Sequence, residues 1–214
     1  MTVLMRFSAK RFATLAVLLM LCLPVGGCGN DGDLGSPTPS GATDIGGPPM
    51  TSQPPPPPGW NPKEVVPQSQ QEAQDTIAGY IQRMLDALPE GTAYDTGRYS
   101  GRGHNSSCDD NYTGPGKPPT HFTTTGDLSF LPGSDLSAMI AKTGEIWRSW
   151  GWHVYERDGF EKPNQFGYAP DGYRLQIVAA YPPDYPPTVV ATSPCFPGDI
   201  ARDDIAFPAV LRAS

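Results

Sequence analysis

The sequence is poor in the residues that most often carry chemistry. Its 214 residues include only three histidines and four cysteines, and 17% of positions are charged. His104, His121 and His153 fall in no HExxH or other close metal-ligand spacing, so the common zinc-protease signature is excluded. No GxSxG run is present, which removes the nucleophile elbow of the α/β-hydrolases. Asp109-Asp110-Asn111 offers oxygen ligands but lacks the spaced register and closing glutamate of an EF-hand loop. Basic residues are scarce too: 15 against 22 acidic residues leave a formal charge of −7. That balance argues against nucleic acid as a partner and against adhesion to anionic headgroups. Long hydrophobic runs are missing as well. The apolar stretch from Phe12 to Leu23 holds 12 residues, whereas crossing a bilayer as a helix takes about 18 to 20.

That stretch is placed as a secretory signal would be, behind Arg6, Lys10 and Arg11 and ahead of small residues. Val25-Gly26-Gly27-Cys28 resembles the lipobox of bacterial lipoproteins, in which an aliphatic and two small residues precede a cysteine that is acylated before cleavage. Residues 1–27 therefore read as a lipoprotein signal peptide, with Cys28 as the lipidated first residue of the mature chain. Each buried methylene contributes about 0.8 kcal/mol, and stable anchoring takes more than one acyl chain. A diacylglyceryl cysteine supplies two, which would hold the protein to the extracytoplasmic face of the cell membrane. Loss of the three signal-peptide cations leaves the mature part at −7 − 3 = −10.

Cys22 leaves with the signal and Cys28 takes the lipid, so the exported domain keeps Cys108 and Cys195. Two cysteines in an oxidising compartment suggest one disulfide. Closing a loop of 195 − 108 = 87 residues stabilises by about 2 to 5 kcal/mol. A zinc site is disfavoured, because two isolated cysteines without a nearby histidine pair do not make four ligands.

From Gly29 to Pro67 the chain is dense in Pro, Gly, Ser and Thr, with few aliphatic residues to bury. Residues 28–67 thus read as the lipidated cysteine and a disordered tether, stiffened by polyproline II over Pro54 to Pro58. The proline run could also serve as a ligand for an aromatic-grooved partner.

At Ser69 the character changes. Ser69-Gln70-Gln71-Glu72 matches a capping box, and Ile77, Tyr80, Ile81, Met84, Leu85 and Leu88 recur at helical spacing before Pro89. Thr92 to Gly101 has weak strand character, Arg102 to Pro119 reads as a long loop, and His121 to Phe130 is β-rich. A second helix is expected from Ser134 as cap to about Trp150, with Leu136, Met139, Ile140, Thr143, Ile146, Trp147 and Trp150 as its apolar stripe. Trp152 to Arg157, Phe166 to Tyr168, Tyr173 to Ala180 and Thr188 to Cys195 are expected as strands and hairpins. In the third of these, Tyr173, Leu175, Ile177 and Ala179 alternate with Arg174 and Gln176, as in a sheet buried on one face. The pattern predicts an α+β domain over residues 68–198 in the order α-β-β-α-β-β-β. Both helices should cover one face of an antiparallel sheet of about four to five strands. Residues 199–214, acidic and with scattered apolar positions, are expected to be loosely held.

Several of these features together resemble the small mycobacterial lipoproteins of the LppA type. They are the helix running into ALPEGTAYDTGRY, the cysteine-bearing loop at Cys108, the helix ending SWGWHVY, the hairpin APDGYRLQIV and the second cysteine in ATSPCF. The resemblance covers about Gln68 to Phe196. It implies an actinobacterial cell-envelope lipoprotein with an α+β domain and a Cys108–Cys195 disulfide, and it brings no catalytic residues with it.

No catalytic, cofactor-binding or metal residues are assigned on these grounds. Trp147, Trp150, Trp152 and Tyr155 cluster in sequence and could stack on sugars or line an apolar pocket, but the helical spacing of Trp147 and Trp150 favours core packing over a binding site. Tyr168, Tyr173, Tyr181 and Tyr185 could form a contact surface around the hairpins. The leading expectation is a non-enzymatic binding or interaction domain without a cofactor, its partners being the membrane through Cys28 and an envelope protein or small apolar ligand. A carrier with an apolar molecule between helices and sheet is one alternative. An envelope hydrolase using His104 or His121 with a nearby acid or serine is the other. Mass spectrometry of the membrane-extracted protein should find a first peptide that begins at a lipidated Cys28, and an unmodified peptide starting elsewhere would refute the anchor.

Overall fold

Ser69 starts the first helix by the chemistry its neighbours imply. In the computed structural model, which describes residues 57–202 and 204–214, its hydroxyl accepts the Glu72 backbone N–H at 3.1 Å. The Glu72 carboxylate accepts from the N–H of Gln68 at 2.7 Å, one residue ahead of the donor that a capping box would use. Helix α1 spans Gln70–Asp86 and buries Ile77, Ile81, Met84 and Leu85. Helix α2 spans Leu136–Ser149. Its cap is Asp135, whose carboxylate accepts from Ala138 N–H at 3.0 Å, while the expected cap Ser134 bonds the Leu131 carbonyl instead. A carboxylate at this position also meets the positive end of the helix dipole.

Among the described residues, eight antiparallel strands form one sheet: β1 (Ala93–Asp95), β2 (His104–Ser107), β3 (Thr120–Ser129), β4 (His153–Tyr155), β5 (Asn164–Tyr168), β6 (Arg174–Val178), β7 (Thr188–Thr192) and β8 (Val210–Arg212). Their order is β4-β5-β6-β7-β3-β1-β8, with β2 also paired to β3. The α+β class, the antiparallel sheet, the two helices and the disulfide agree with the sequence-based expectation. The expected four to five strands are too few, and the reason lies in the short strands. β2 is HNSS, without apolar alternation, inside the run expected to be a loop. Pairing with β3 holds it, not a buried face of its own.

Strand β8 corrects a second expectation, that residues 199–214 are loosely held. Val210 to Arg212 pair with β1 along the sheet edge, and Thr96 N–H donates to the Ala209 carbonyl at 2.9 Å. Phe207, 1% exposed, anchors the segment in the core against Phe122. One buried ring and edge pairing suffice where the apolar content of the tail is low.

The domain also begins earlier than residue 68. Within the expected tether, Pro57 and Pro67 are buried, Val65 N–H donates to Asp171 O at 2.9 Å, and the Trp60 ring stacks on His153 with centroids 5.5 Å apart. The signal segment, Cys28 and the tether up to residue 56 lie outside the described residues. No helix among the described residues is long and apolar enough to cross a membrane.

Both helices pack on one face of the sheet, α1 over β8, β1 and β3 and α2 over β4, β5 and β6. Trp147 and Trp152 fill the space between α2 and the sheet, their rings 6.3 Å apart. Gly167 lies beneath them, and a Cβ there would meet Trp147 at 2.7 Å. Tyr80 wedges edge-on against Trp152 at 4.9 Å and donates its hydroxyl to Asp171 Oδ2 at 2.5 Å, which ties α1 to the β5–β6 turn. The disulfide joins Cys108, just beyond β2, to Cys195, just beyond β7. Replacing Phe207 with alanine should destabilise the protein by about 3 kcal/mol or more in denaturant unfolding, whereas a loosely held tail would leave the midpoint unchanged.

Candidate functional site

The helices cover one face, and the pleat of the sheet decides what is left on the other. Successive side chains of a strand point to opposite faces, so Leu175, Ile177, Val189 and Ala191 enter the core while Arg174, Gln176, Val190 and Thr192 turn away. The register then aligns one such residue from each of six neighbouring strands. His153 pairs with Tyr168, Tyr168 with Arg174, Arg174 with Thr192, Thr192 with Thr123, and Thr123 with His104. At about 4.8 Å per strand, this row crosses the helix-free face from β4 to β2.

A cleft of about 240 Å³ lies along the row. Tyr168, Arg174, Thr192, Thr123 and His104 line it, with Ser106 and His121 at the β2–β3 end and Phe166, Gln176 and Val190 one step along the strands. Arg174 is half-buried, and burial pulls its pKa down from the ordinary value while Tyr168 and Glu64 oppose the shift. A guanidinium nevertheless stays charged at neutral pH. Among the described residues, no carboxylate lies within ion-pair distance of Arg174, and no side chain or carbonyl accepts from its guanidinium. Asp127, further along the same face, is engaged by Arg98 at 2.8 Å and by the Tyr99 hydroxyl at 2.9 Å.

The neutral groups are arranged as donors. Tyr155 donates its hydroxyl to Tyr168 at 3.2 Å, the two rings stacking 5.6 Å apart. The Tyr168 proton is thereby left for another acceptor. Burial pushes the Tyr168 pKa up to about 12, so it remains a phenol. Thr123 and Thr192 share a hydrogen bond of 3.2 Å.

His121 is 4% exposed. Its Nδ1 lies 3.5 Å from Cys108 Sγ, and its pKa is lowered to about 4 by burial first, then by Arg174 and His104. Cys108, His121 and Cys195 bring their donor atoms within 4.8 Å of one another. Both sulfurs are bonded to each other, and the ligand form of cysteine is the free thiolate. The cluster is therefore a histidine packed on a disulfide.

The residues singled out from sequence separate in three dimensions. Trp147 and Trp152 are core, and Trp150 is half-buried under the Arg83 guanidinium at 4.4 Å. Tyr155 belongs to the opposite face. Tyr168 lines the cleft and Tyr173 the core, whereas Tyr181 and Tyr185 stand exposed in the β6–β7 connection, at 83% and 52%. His104 and His121 come together at the cleft, and His153 sits at the far end of the row under Trp60. Arg174, Thr123, Thr192 and Gln176 carried no signal beyond their polar positions in alternating strands, and only pairing register assembles them. Comparison with protein-family models, with curated proteins and with solved structures gave no match to this chain. The geometry of the cleft therefore carries the functional reading.

The depressed His121 pKa makes stability depend on acid. Its value in the unfolded chain is about 6.5, so between about 6.5 and about 4 the unfolded state binds the extra proton. The His121 contribution is complete above the unfolded value and is lost as pH falls through that window. Denaturant unfolding should lose at most about 3 kcal/mol there, and His121→Gln should flatten the slope. An unchanged slope in the variant would assign the acid sensitivity to other groups.

Proposed function

We propose that this chain is a lipid-anchored envelope lipoprotein whose domain binds a small polar molecule, or the polar end of a larger one, in the sheet-face cleft. The observation that carries the reading is Arg174, a half-buried cation without a counter-ion among the described residues, in a concave site of about 240 Å³. Half-burial strips part of the hydration from the guanidinium, and a ligand that supplied a charged partner would offset that loss. Small-molecule sites combine apolar walls with a few placed polar groups, and Phe166 and Val190 beside Arg174 and Tyr168 make such a set.

On this reading the lipid on Cys28 places the protein at the extracytoplasmic face of the cell membrane, and the proline-rich segment holds the domain away from it. The resemblance to LppA-type lipoproteins fits this arrangement. The polar lining favours a polar ligand over an apolar one, and the volume between helices and sheet is occupied by Trp147, Trp152 and Tyr80. The histidine chemistry favours binding over hydrolysis: His121 has a disulfide sulfur, not a carboxylate, at its Nδ1.

Filling the cleft tests the proposal. Thr192→Trp places a large ring on the helix-free face, where a substitution costs about 1 kcal/mol or less. Detergent-solubilised full-length protein, immobilised and exposed to envelope extract, should retain low-mass species that the variant does not. Equal retention by both proteins would sink the reading.

A further inference from the structure

The donor set in the cleft is specific enough to name the chemical group it takes. We propose that the cleft recognises a carboxylate, carried on a small apolar or aromatic body, with Arg174 as its anchoring cation. This inference rests on the cleft being the binding site.

Three observations converge on it. First, every polar side chain lining the cleft can donate a hydrogen bond, and none of the lining residues is an Asp or Glu, although the chain as a whole carries a charge of −7. A carboxylate-free pocket around Arg174, with the Arg157 guanidinium 5.1 Å from the lining Phe166 ring, is built to admit an anion there. Second, the donors lie to both sides of Arg174 along the row: Tyr168 with its free phenol proton on one side and, on the other, the Thr192–Thr123 hydroxyl pair, which keeps one proton free after its mutual bond. A guanidinium fork matches a planar carboxylate with two parallel N–H···O bonds, and the flanking hydroxyls can take up the remaining lone pairs. Third, Phe166 and Val190 are displaced by one step along the strands, which provides an apolar wall for the rest of the ligand.

Charge separates a carboxylate from a phosphate. A phosphate dianion is commonly held by several cations, a glycine-rich loop or a helix N-terminus. Here Arg174 is the one Arg or Lys among the lining residues, and the cleft floor is sheet. One guanidinium in the lining, with Arg157 set back behind the Phe166 ring, and hydroxyl and amide donors around it match a monoanion. The volume, about 240 Å³, is below the roughly 300 to 1,000 Å³ of drug-sized sites, so the ligand is small.

Glu64 gives the site an internal test. It stands by the Asp171–Gly172 turn and acts on Arg174 through its charge without forming an ion pair. Its negative field opposes an incoming anion, so its removal should strengthen binding while removal of Arg174 weakens it.

The experiment uses full-length protein in a non-ionic detergent, with benzoate, benzamide and phenyl phosphate as probes. Equilibrium dialysis measures affinity, and hydrogen exchange locates the site. Benzoate should protect β2 and β6 and bind at least about tenfold more tightly than its neutral isostere benzamide, the gain expected of a charge-assisted pair. Arg174→Gln should abolish that preference. Arg174→Lys, which keeps the charge and loses the fork, should retain part of it, and Glu64→Gln should tighten benzoate about twofold. Equal affinity for benzamide and benzoate, with protection at β2 and β6, would overturn the carboxylate and leave the cleft standing as a binding site. Preference for phenyl phosphate would overturn it in favour of a dianion. Protection elsewhere, or no binding of any probe, would overturn the carboxylate, and protection elsewhere would also remove the cleft as the binding site.

Discussion

Strand β3 is the constraint on which the rest of the domain depends. Its ten residues pair with β7 along one edge and, along the other, with β1 at the C-terminal end and β2 at the N-terminal end. Because a strand alternates its side chains with period two, a slip of one residue in any of these pairings would exchange core and solvent faces. Phe122, Thr124, Gly126 and Leu128 point to the helices and are buried; His121, Thr123, Thr125 and Asp127 take the opposite face. Tyr94 lies across Gly126, where a Cβ would come within 2.5 Å of its ring. The same register that packs the core therefore sets which polar residues line the cleft.

The asymmetry of the sheet follows from this alternation. Two helices can cover one face, and Trp147, Trp152, Ile77 and Ile81 are enough to exclude water from it. The other face then carries hydroxyls, histidines and Arg174, with Tyr168 and Phe166 giving it partial shelter. The disulfide reinforces this side. It ties the exit of β2 to the exit of β7, holds His121 beneath it, and keeps the short β2 strand, which supplies His104 and Ser106, in register with β3. Trp60 closes the opposite end of the row by stacking on His153, so the last part of the proline-rich segment belongs to the folded domain.

Much of the fold was legible in the chain. Ser69 with Glu72, the stripe from Ile77 to Leu88, the stripe from Leu136 to Trp150 and the alternation of Tyr173 to Ala179 each report a local preference that burial on one face reinforces. Cys108 and Cys195 were legible as a pair because the sequence reading assigns the other two cysteines to an expected signal and lipobox. The missed elements, β2, β8 and the docked residues 57–67, share a physical property. Each is short and has little apolar alternation, and each is held by long-range pairing or by one anchoring ring, Phe207 or Trp60.

The sequence by itself determined the helices, the antiparallel α+β class and the cysteine pair, because those depend on local composition and on periods of 3.6 and 2. Only the tertiary structure decided that Tyr168, Arg174, Thr192, Thr123 and His104 form one row, and that Trp147 and Tyr155 lie on opposite faces. These five residues come from five strands and are separated by up to 192 − 104 = 88 residues. No local pattern specifies which strands become neighbours, and the register that aligns these residues exists only once β3, β6 and β7 have paired.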